Sequence, residues 1–181
     1  AESLYKYNMG YVTENRKEEG LLLESTVKTN LGITVWQRIV GRFTRRIDDR
    51  AETRAAEHMV RAMDIRSTGL HQVVNNLSGG NQQKVSIGKW LAADCDVLII
   101  DEPTVGVDLG AKAQIHRLIW DLAAQEGKAI ILISSDMPEI ISLAGRILVF
   151  KEKQIVHEVA DIQERSLGYD AVSREIGHHL N

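Results

Sequence analysis

One cysteine, two prolines and two phenylalanines are few for 181 residues, and each scarcity excludes something. A single cysteine rules out an internal disulfide and suits a reducing compartment. Cys95 lies between Asp94 and Asp96 before an apolar strand and reads as a buried structural thiol. No apolar run approaches the ~18–20 residues of a membrane-spanning helix, and residues 1–7 carry no signal-peptide pattern. Any membrane role is therefore expected to run through a partner. Neither charge sign dominates: 22 Lys and Arg against 25 Asp and Glu leave a net charge of −3, so nothing global points to nucleic acid or anionic lipid. The six histidines lack metal-ligand spacing, and His178-His179 reads as an exposed tail. No repeat or low-complexity tract is present. What remains, 44% hydrophobic and 26% charged, describes one globular domain of ordinary size.

The apolar pattern alternates strands with helices. Residues 9–13 suit a short strand, followed by a charged turn, Glu14-Asn15-Arg16-Lys17-Glu18-Glu19-Gly20. Residues 48–64 place Ala55, Ala56, Met59, Val60 and Met63 at helical spacing behind a capping Asp48, with Gly69 closing the segment. A helix is expected from Ser78 to about Ala93, a buried strand at 97–101, a helix at 110–126 ended by Gly127, and another buried strand at 129–133. Ile115, Leu118, Ile119 and Leu122 fall on one face of the second helix. Pro138 fits the first turn of a short helix reaching Ala144. Residues 147–150 and 155–159 read as a hairpin, and a C-terminal helix follows Asp170. Such alternation predicts an α/β fold with a parallel sheet covered on both faces, where ligands bind beyond the carboxyl ends of the strands.

Two strings carry the chemistry. Leu77-Ser78-Gly79-Gly80-Asn81-Gln82-Gln83 is a Ser-Gly-Gly turn opening a helix, and a helix N-terminus attracts phosphate. Taken alone it is equally a turn and a cap. Val97-Leu98-Ile99-Ile100-Asp101-Glu102-Pro103-Thr104 is a strand ending in two carboxylates. Asp101 suits a magnesium ion held through water, and Glu102 suits a general base that polarises an attacking water. Asp-Glu alone is more often a solvated strand end; with Pro103-Thr104 behind it and the Ser-Gly-Gly turn ahead, the chemical reading wins. The pattern GxxxxGK[ST] is missing: Gly88-Lys89 would need Gly at 83 and Ser or Thr at 90, where Gln83 and Trp90 stand. Trp36, Trp90 and Trp120 read as packing residues, not a base-stacking surface.

These residues resemble the ATP-binding subunits of ABC transporters. Leu77 to Val85 resembles the ABC signature, Asp101-Glu102-Pro103-Thr104 the Walker B end, and Gly106-Val107-Asp108 the D-loop. Gly10-Tyr11-Val12-Thr13-Glu14-Asn15-Arg16-Lys17 and Asp108-Leu109-Gly110-Ala111-Lys112-Ala113 resemble the second of two tandem nucleotide-binding domains in importers of ribose, allose and other monosaccharides. The resemblance covers about residues 9–160. It implies a P-loop NTPase-like sheet flanked by helices, with a helical subdomain, and ATP and Mg²⁺ as ligands. It implies that Ser78, Gly79 and Gly80 clamp the γ-phosphate of ATP held by a partner domain, with Gln82 and Asp108 also counted among the nucleotide-binding residues. Asp101 and Glu102 would serve the domain's own site, and Asp108 would link the two sites. The partners implied are another nucleotide-binding domain, transmembrane permease subunits and, indirectly, a periplasmic sugar-binding protein, with no nucleic acid. The place implied is the cytoplasmic face of the inner membrane.

Within that frame residues 1–30 form a residual strand and Q-loop region, 31–76 a helical subdomain that docks on the membrane partner, 77–160 the catalytic-core part and 161–181 a C-terminal helix or tail. Three departures stand out. The P-loop is absent, so the chain reads as the C-terminal part of one domain. Glu14 stands at the Q-loop glutamine, where an acid can approach magnesium but cannot donate as an amide does. Ser135 stands at the switch-histidine position, where a hydroxyl cannot replace an imidazole. The domain's own site is thus expected to be the weaker of the two. In the resembled fold the P-loop strand lies between the strands matching 129–134 and 146–150, so those two are expected to lose their common neighbour, and the chain to rearrange locally, to pair the two strands directly or to associate through them. Two other readings remain: a non-catalytic remnant that completes a partner's site, and an ABC ATPase of DNA maintenance.

Overall fold

The computed structural model describes residues 6–41, 45–162 and 168–180, which divide into two compact units, 1–133 and 134–181. The first holds a three-stranded parallel sheet of β1 (Met9–Val12), β2 (Val97–Asp101) and β3 (Ala129–Ile133) in the order β1-β2-β3. Met9 pairs with Val97 and Val97 with Ala129, so the carboxyl ends of all three strands lie together.

Between β1 and β2 run α1 (Val27–Gly32), α2 (Trp36–Ile39), α3 (Asp49–Ala62) and α4 (Gly79–Ala92); α5 (Leu109–Ala124) joins β2 to β3. Local chemistry sets their starts. Thr26 caps α1, Asp48 accepts from Arg50 and Ala51 N–H at 2.9 and 3.1 Å, and Ser78 and Asp108 cap α4 and α5. The end of α3 differs from expectation: it stops at Ala62, where Asp64 turns left-handed (φ 46°), before Gly69 is reached. Residues 16–20, expected as a plain turn, wind into one π-helical turn.

Alternation along the strands separates two faces. Val12, Leu98 and Ile100 are fully buried with Val85 and Ile87 of α4 and Ile115, Ile119 and Leu122 of α5. Val27 and Leu31 of α1 and Ala56 and Met59 of α3 continue this core. The opposite face carries Tyr11, Ile131 and Ile133, of which the two isoleucines are 50% and 47% exposed. The expectation of a sheet covered on both faces, with 129–133 a buried strand, is corrected here. The helices gather over one face, and β3 is the last strand of its sheet. Trp120 is also corrected, being half exposed.

Two polar ties hold the helical segment. The Lys28 ammonium meets Asp49 at 2.5 Å and Glu52 at 3.6 Å, and Trp36 Nε1 donates to Glu52 at 2.6 Å. The Lys89 ammonium, 5.5 Å from the Trp90 ring centroid, donates to the Gly20 carbonyl. It anchors the chain after the π-turn and is unavailable as a phosphate ligand. Burial lowers its pKa to about 8. Cys95 is buried, as expected.

The second unit contains α6 (Met137–Leu143), the antiparallel hairpin β4 (Ile147–Lys151) and β5 (Gln154–Val159), and α7 (Tyr169–Leu180). Ile147, Val149, Val159, Ile162, Val172 and Ile176 form its core, against which Met137, Ile140 and Ile141 pack. Glu152 and Lys153 make the hairpin turn with φ of 52° and 65°, the twist a two-residue loop needs. His157 Nε2 meets Glu175 Oε1 at 2.9 Å. His178 belongs to α7, not to a loose tail, while the side chain of His179 and residues 163–167 lie outside the described residues. Of the three fates expected for the edges, direct pairing is not adopted: β4 pairs with β5, and β3 with β2.

Two outcomes follow. Amides of 129–133 are expected to exchange faster with deuterated solvent than those of 97–101, because β2 is paired on both sides and β3 on one. Equal protection would show that the outer edge of β3 is covered. For Lys89, the unfolded chain keeps its proton up to about 10.5 while the native chain releases it near 8. Unfolding takes up a proton between these values, so this residue adds stability as pH rises through that window. The melting temperature of the native sequence should therefore rise relative to that of Lys89→Met as pH goes from 8 to 10.5; a difference that does not change over this range would contradict the burial of the ammonium.

Candidate functional site

The carboxyl end of the sheet gathers Glu14, Asp101 and Glu102. Glu14 is exposed on the turn after β1, and Asp101 ends β2. Tyr11 Oη donates to Asp101 Oδ2 at 2.9 Å, and this hydrogen bond, with burial and the carboxylate's charge, raises the phenol's pKa. Glu102 has left-handed backbone (φ 45°), a conformation costing a residue with a side chain roughly 1 kcal/mol or more. Its N–H donates to the Ile133 carbonyl at 2.8 Å, which pins the strained residue to the neighbouring strand end. The sheet thus sets two adjacent carboxylates at one end, in a conformation held by the fold.

Among the described residues no group of three or more His, Cys, Asp or Glu forms a metal cage. The donor set still fits magnesium, which takes hard oxygen ligands, usually one or two carboxylates with water and phosphate completing the shell.

The signature turn lies on a different surface. Ser78 is exposed, and its Oγ accepts from Asn81 N at 3.4 Å and Asn81 Nδ2 at 2.9 Å. Asn81 Oδ1 in turn accepts from Arg66 N at 2.8 Å, tying the turn to the loop after α3. A Cβ on Gly80 would stand 2.5 Å from Ala111 Cβ, and one on Gly79 would stand 2.7 Å from the Gly106 carbonyl. No side chain fits at either position, so the starts of α4 and α5 share one surface. Asp108 is exposed on that surface and accepts from Ala111 N at 2.9 Å. Val105 and Leu109, 46% and 85% exposed, flank it. Gln82 points inward: it is 3% exposed and its Nε2 donates to the Val74 carbonyl at 3.2 Å, supporting the 3₁₀ turn Val74–Asn76. Ser78, Gly79, Gly80 and Asp108 are therefore brought together, with Gln82 beneath them.

Ser135 belongs to the second unit and is exposed. The neighbouring Ser134 Oγ accepts from Asp136 N at 3.0 Å, and Asp136 caps α6 by accepting from Glu139 N at 3.1 Å.

Sequence reasoning missed Arg16. Within a run of charged residues it gave no separate signal, yet it is 6% exposed and donates from Nη1 to the Val105 carbonyl at 2.7 Å and from Nη2 to the Gly106 carbonyl at 3.1 Å. Tyr11 was also missed; its placement three residues before Glu14 on a parallel strand was the available clue.

Comparison with known proteins follows the same lines. The profile of the ABC transporter family matches residues 2–105. A protein described as "Putative ribose/galactose/methyl galactoside import ATP-binding protein 2" of Burkholderia cenocepacia (strain HI2424) is 42% identical over 172 residues, covering 94% of this chain and 33% of that protein. "Ribose import ATP-binding protein RbsA 1" of Streptomyces avermitilis is 46% identical over 151 residues, covering 83% and 28%. The chain therefore spans about a third of the length of these curated relatives. Among solved structures, a dimeric ATP-binding cassette in a post-hydrolysis state with ADP and Pi superposes with a TM-score of 0.73 at 20% identity, covering 88% of this chain and 66% of that one. A nucleotide-free cassette from an ABC transporter gives 0.74 at 20% identity, covering 94% and 67%. These likenesses share the fold, and the family profile spans more than half of the chain: it belongs to the ABC transporter family.

Proposed function

We propose that the chain is part of the ATP-hydrolysing subunit of a sugar importer and supplies two half-sites. The observation that carries this reading is the surface made by Ser78 and Asp108, both exposed, where the start of α4 packs on the start of α5 with no room for side chains at Gly79 and Gly80. An outward helix N-terminus can donate backbone N–H groups to an anion brought by another molecule. ATP held on a partner nucleotide-binding domain supplies that anion, its γ-phosphate. Gln82 supports the turn from below, and Asp108 contacts the partner domain and links the two sites.

At the sheet end Asp101 and Glu14 would hold Mg²⁺, which neutralises phosphate charge when bound. Glu102 orients the attacking water and accepts its proton, and its pinned backbone fixes the carboxylate in place. Ser135 stands where the family has its switch histidine, and a hydroxyl cannot carry a cationic charge or replace an imidazole. The relatives' names point to ribose or galactose as the class of cargo. The same reading places the protein peripherally at the cytoplasmic face of the inner membrane, paired with permease subunits and, through them, with a periplasmic sugar-binding protein.

The test joins this chain to a P-loop-bearing N-terminal half and measures phosphate release. Magnesium-dependent turnover is expected from the joined protein, falling about 10²-fold or more in Glu102→Gln, the range for loss of a general base. The chain alone, whose sequence has no GxxxxGK[ST], is expected to release none. Turnover by the chain alone, abolished by Glu102→Gln, would overturn the assignment of half-sites.

A further inference from the structure

Arg16 is a buried cation with an unusual set of partners. Its two terminal nitrogens donate to backbone carbonyls, Val105 at 2.7 Å and Gly106 at 3.1 Å, and its Nε is buried without a partner. Among the described residues no carboxylate forms an ion pair with it. A buried charge that is unpaired costs free energy, and here carbonyl dipoles alone offset it. A planar fork reaching two successive carbonyls fixes both their spacing and their orientation, which a single ammonium cannot do.

The position of that fork matters more than its strength. Nη2 lies 3.1 Å from where a Gly79 Cβ would stand, and the Gly106 carbonyl it holds lies 2.7 Å from the same point. Gly106 itself has left-handed backbone (φ 69°), a shape the fork helps select. Arg16 begins the π-helical turn two residues after Glu14, which shares the sheet end with Asp101 and Glu102. One side chain therefore bonds the turn beyond Glu14 to the loop between Glu102 and Asp108, right beside the first residue of the signature helix.

We propose that Arg16 is a positioning residue that holds the signature turn and the Asp108 loop as one body and couples that body to the Glu14 turn of the domain's own site. The inference rests on the reading above, in which Ser78 and Asp108 face an ATP-loaded partner. Breaking the fork would let the 105–106 carbonyls rotate, and both contacts offered to the partner would lose their fixed relation.

The test has two readouts on this chain. In hydrogen exchange, Arg16→Met should speed the amides of 104–109 and of 79–81 by about ten- to hundredfold, the range for losing charge-assisted hydrogen bonds, while 115–122 stay as protected as before. In sedimentation with a P-loop-bearing nucleotide-binding domain loaded with ATP and Mg²⁺, Arg16→Met should weaken nucleotide-dependent association by about tenfold or more on the same principle, and Arg16→Lys should restore only part of it. Ser78→Arg serves as the control that removes the signature contact itself. If Ser78→Arg abolishes association and Arg16→Met leaves it unchanged, the positioning role is overturned while the reading of the signature turn stands. If Ser78→Arg changes nothing, that reading fails, and the coupling falls with it. Should Arg16→Met not fold, Arg16→Lys is read in both assays: full association with unchanged exchange at 104–109 would overturn the proposal.

Discussion

The close approach of two helix starts governs this molecule. Gly80 lies against Ala111, and Gly79 against the Gly106 carbonyl, at distances that admit no side chain on either glycine. Because α4 begins at Gly79 and α5 at Leu109, two residues before Ala111, these contacts fix the helix starts, the loop between Glu102 and Asp108 and the capping residues Ser78 and Asp108 relative to one another. The sheet then receives both helices on one face. Burial of Val85, Ile87, Ile115 and Ile119 follows from that placement.

The helix that carries the signature turn is costly to bury. Gln82, Gln83, Lys84 and Ser86 are all at least nine-tenths buried on α4, and both amide atoms of Gln83 and the hydroxyl of Ser86 lack partners. Lys84 reaches the Asp64 carbonyl at 2.9 Å, and Lys89 reaches Gly20. Ordered water at Gln83 and Ser86 would meet the usual requirement that buried polar groups be bonded. A helix built this way derives little from its own apolar content. It is held by the segments around it, including the π-helical turn and the loop after α3.

Much of this was legible because periodicity and capping are local. The Ser78 and Asp48 caps, the strand at 97–101 and the hairpin at 147–159 each rest on residues within a few positions of one another. The placement of Asp101 and Glu102 at the carboxyl end of the sheet was legible from an apolar strand ending in two acids. What was not legible depends on separation along the chain. Nothing in Glu14-Asn15-Arg16-Lys17 distinguishes the buried arginine from its solvated neighbours, since its partners lie 89 and 90 residues away. The outward face of β3 was misjudged for the related reason that an all-apolar strand reads the same at the centre of a sheet and at its edge. Gln82, read as a nucleotide-binding residue, turns inward because its position in the first turn of α4 faces the 3₁₀ segment.

That last strand bears on how the protein behaves in a tube. Ala129-Ile130-Ile131-Leu132-Ile133 contains no lysine, proline or bulge of the kind that shields sheet edges from one another. Pairing along such an edge is made by backbone hydrogen bonds, while the chain's modest negative charge sets how readily two copies approach. Added salt screens the repulsion that the net charge of −3 supplies, so a charge placed on the edge itself is the more direct remedy. A single lysine at Ile131, on the exposed face, would supply it.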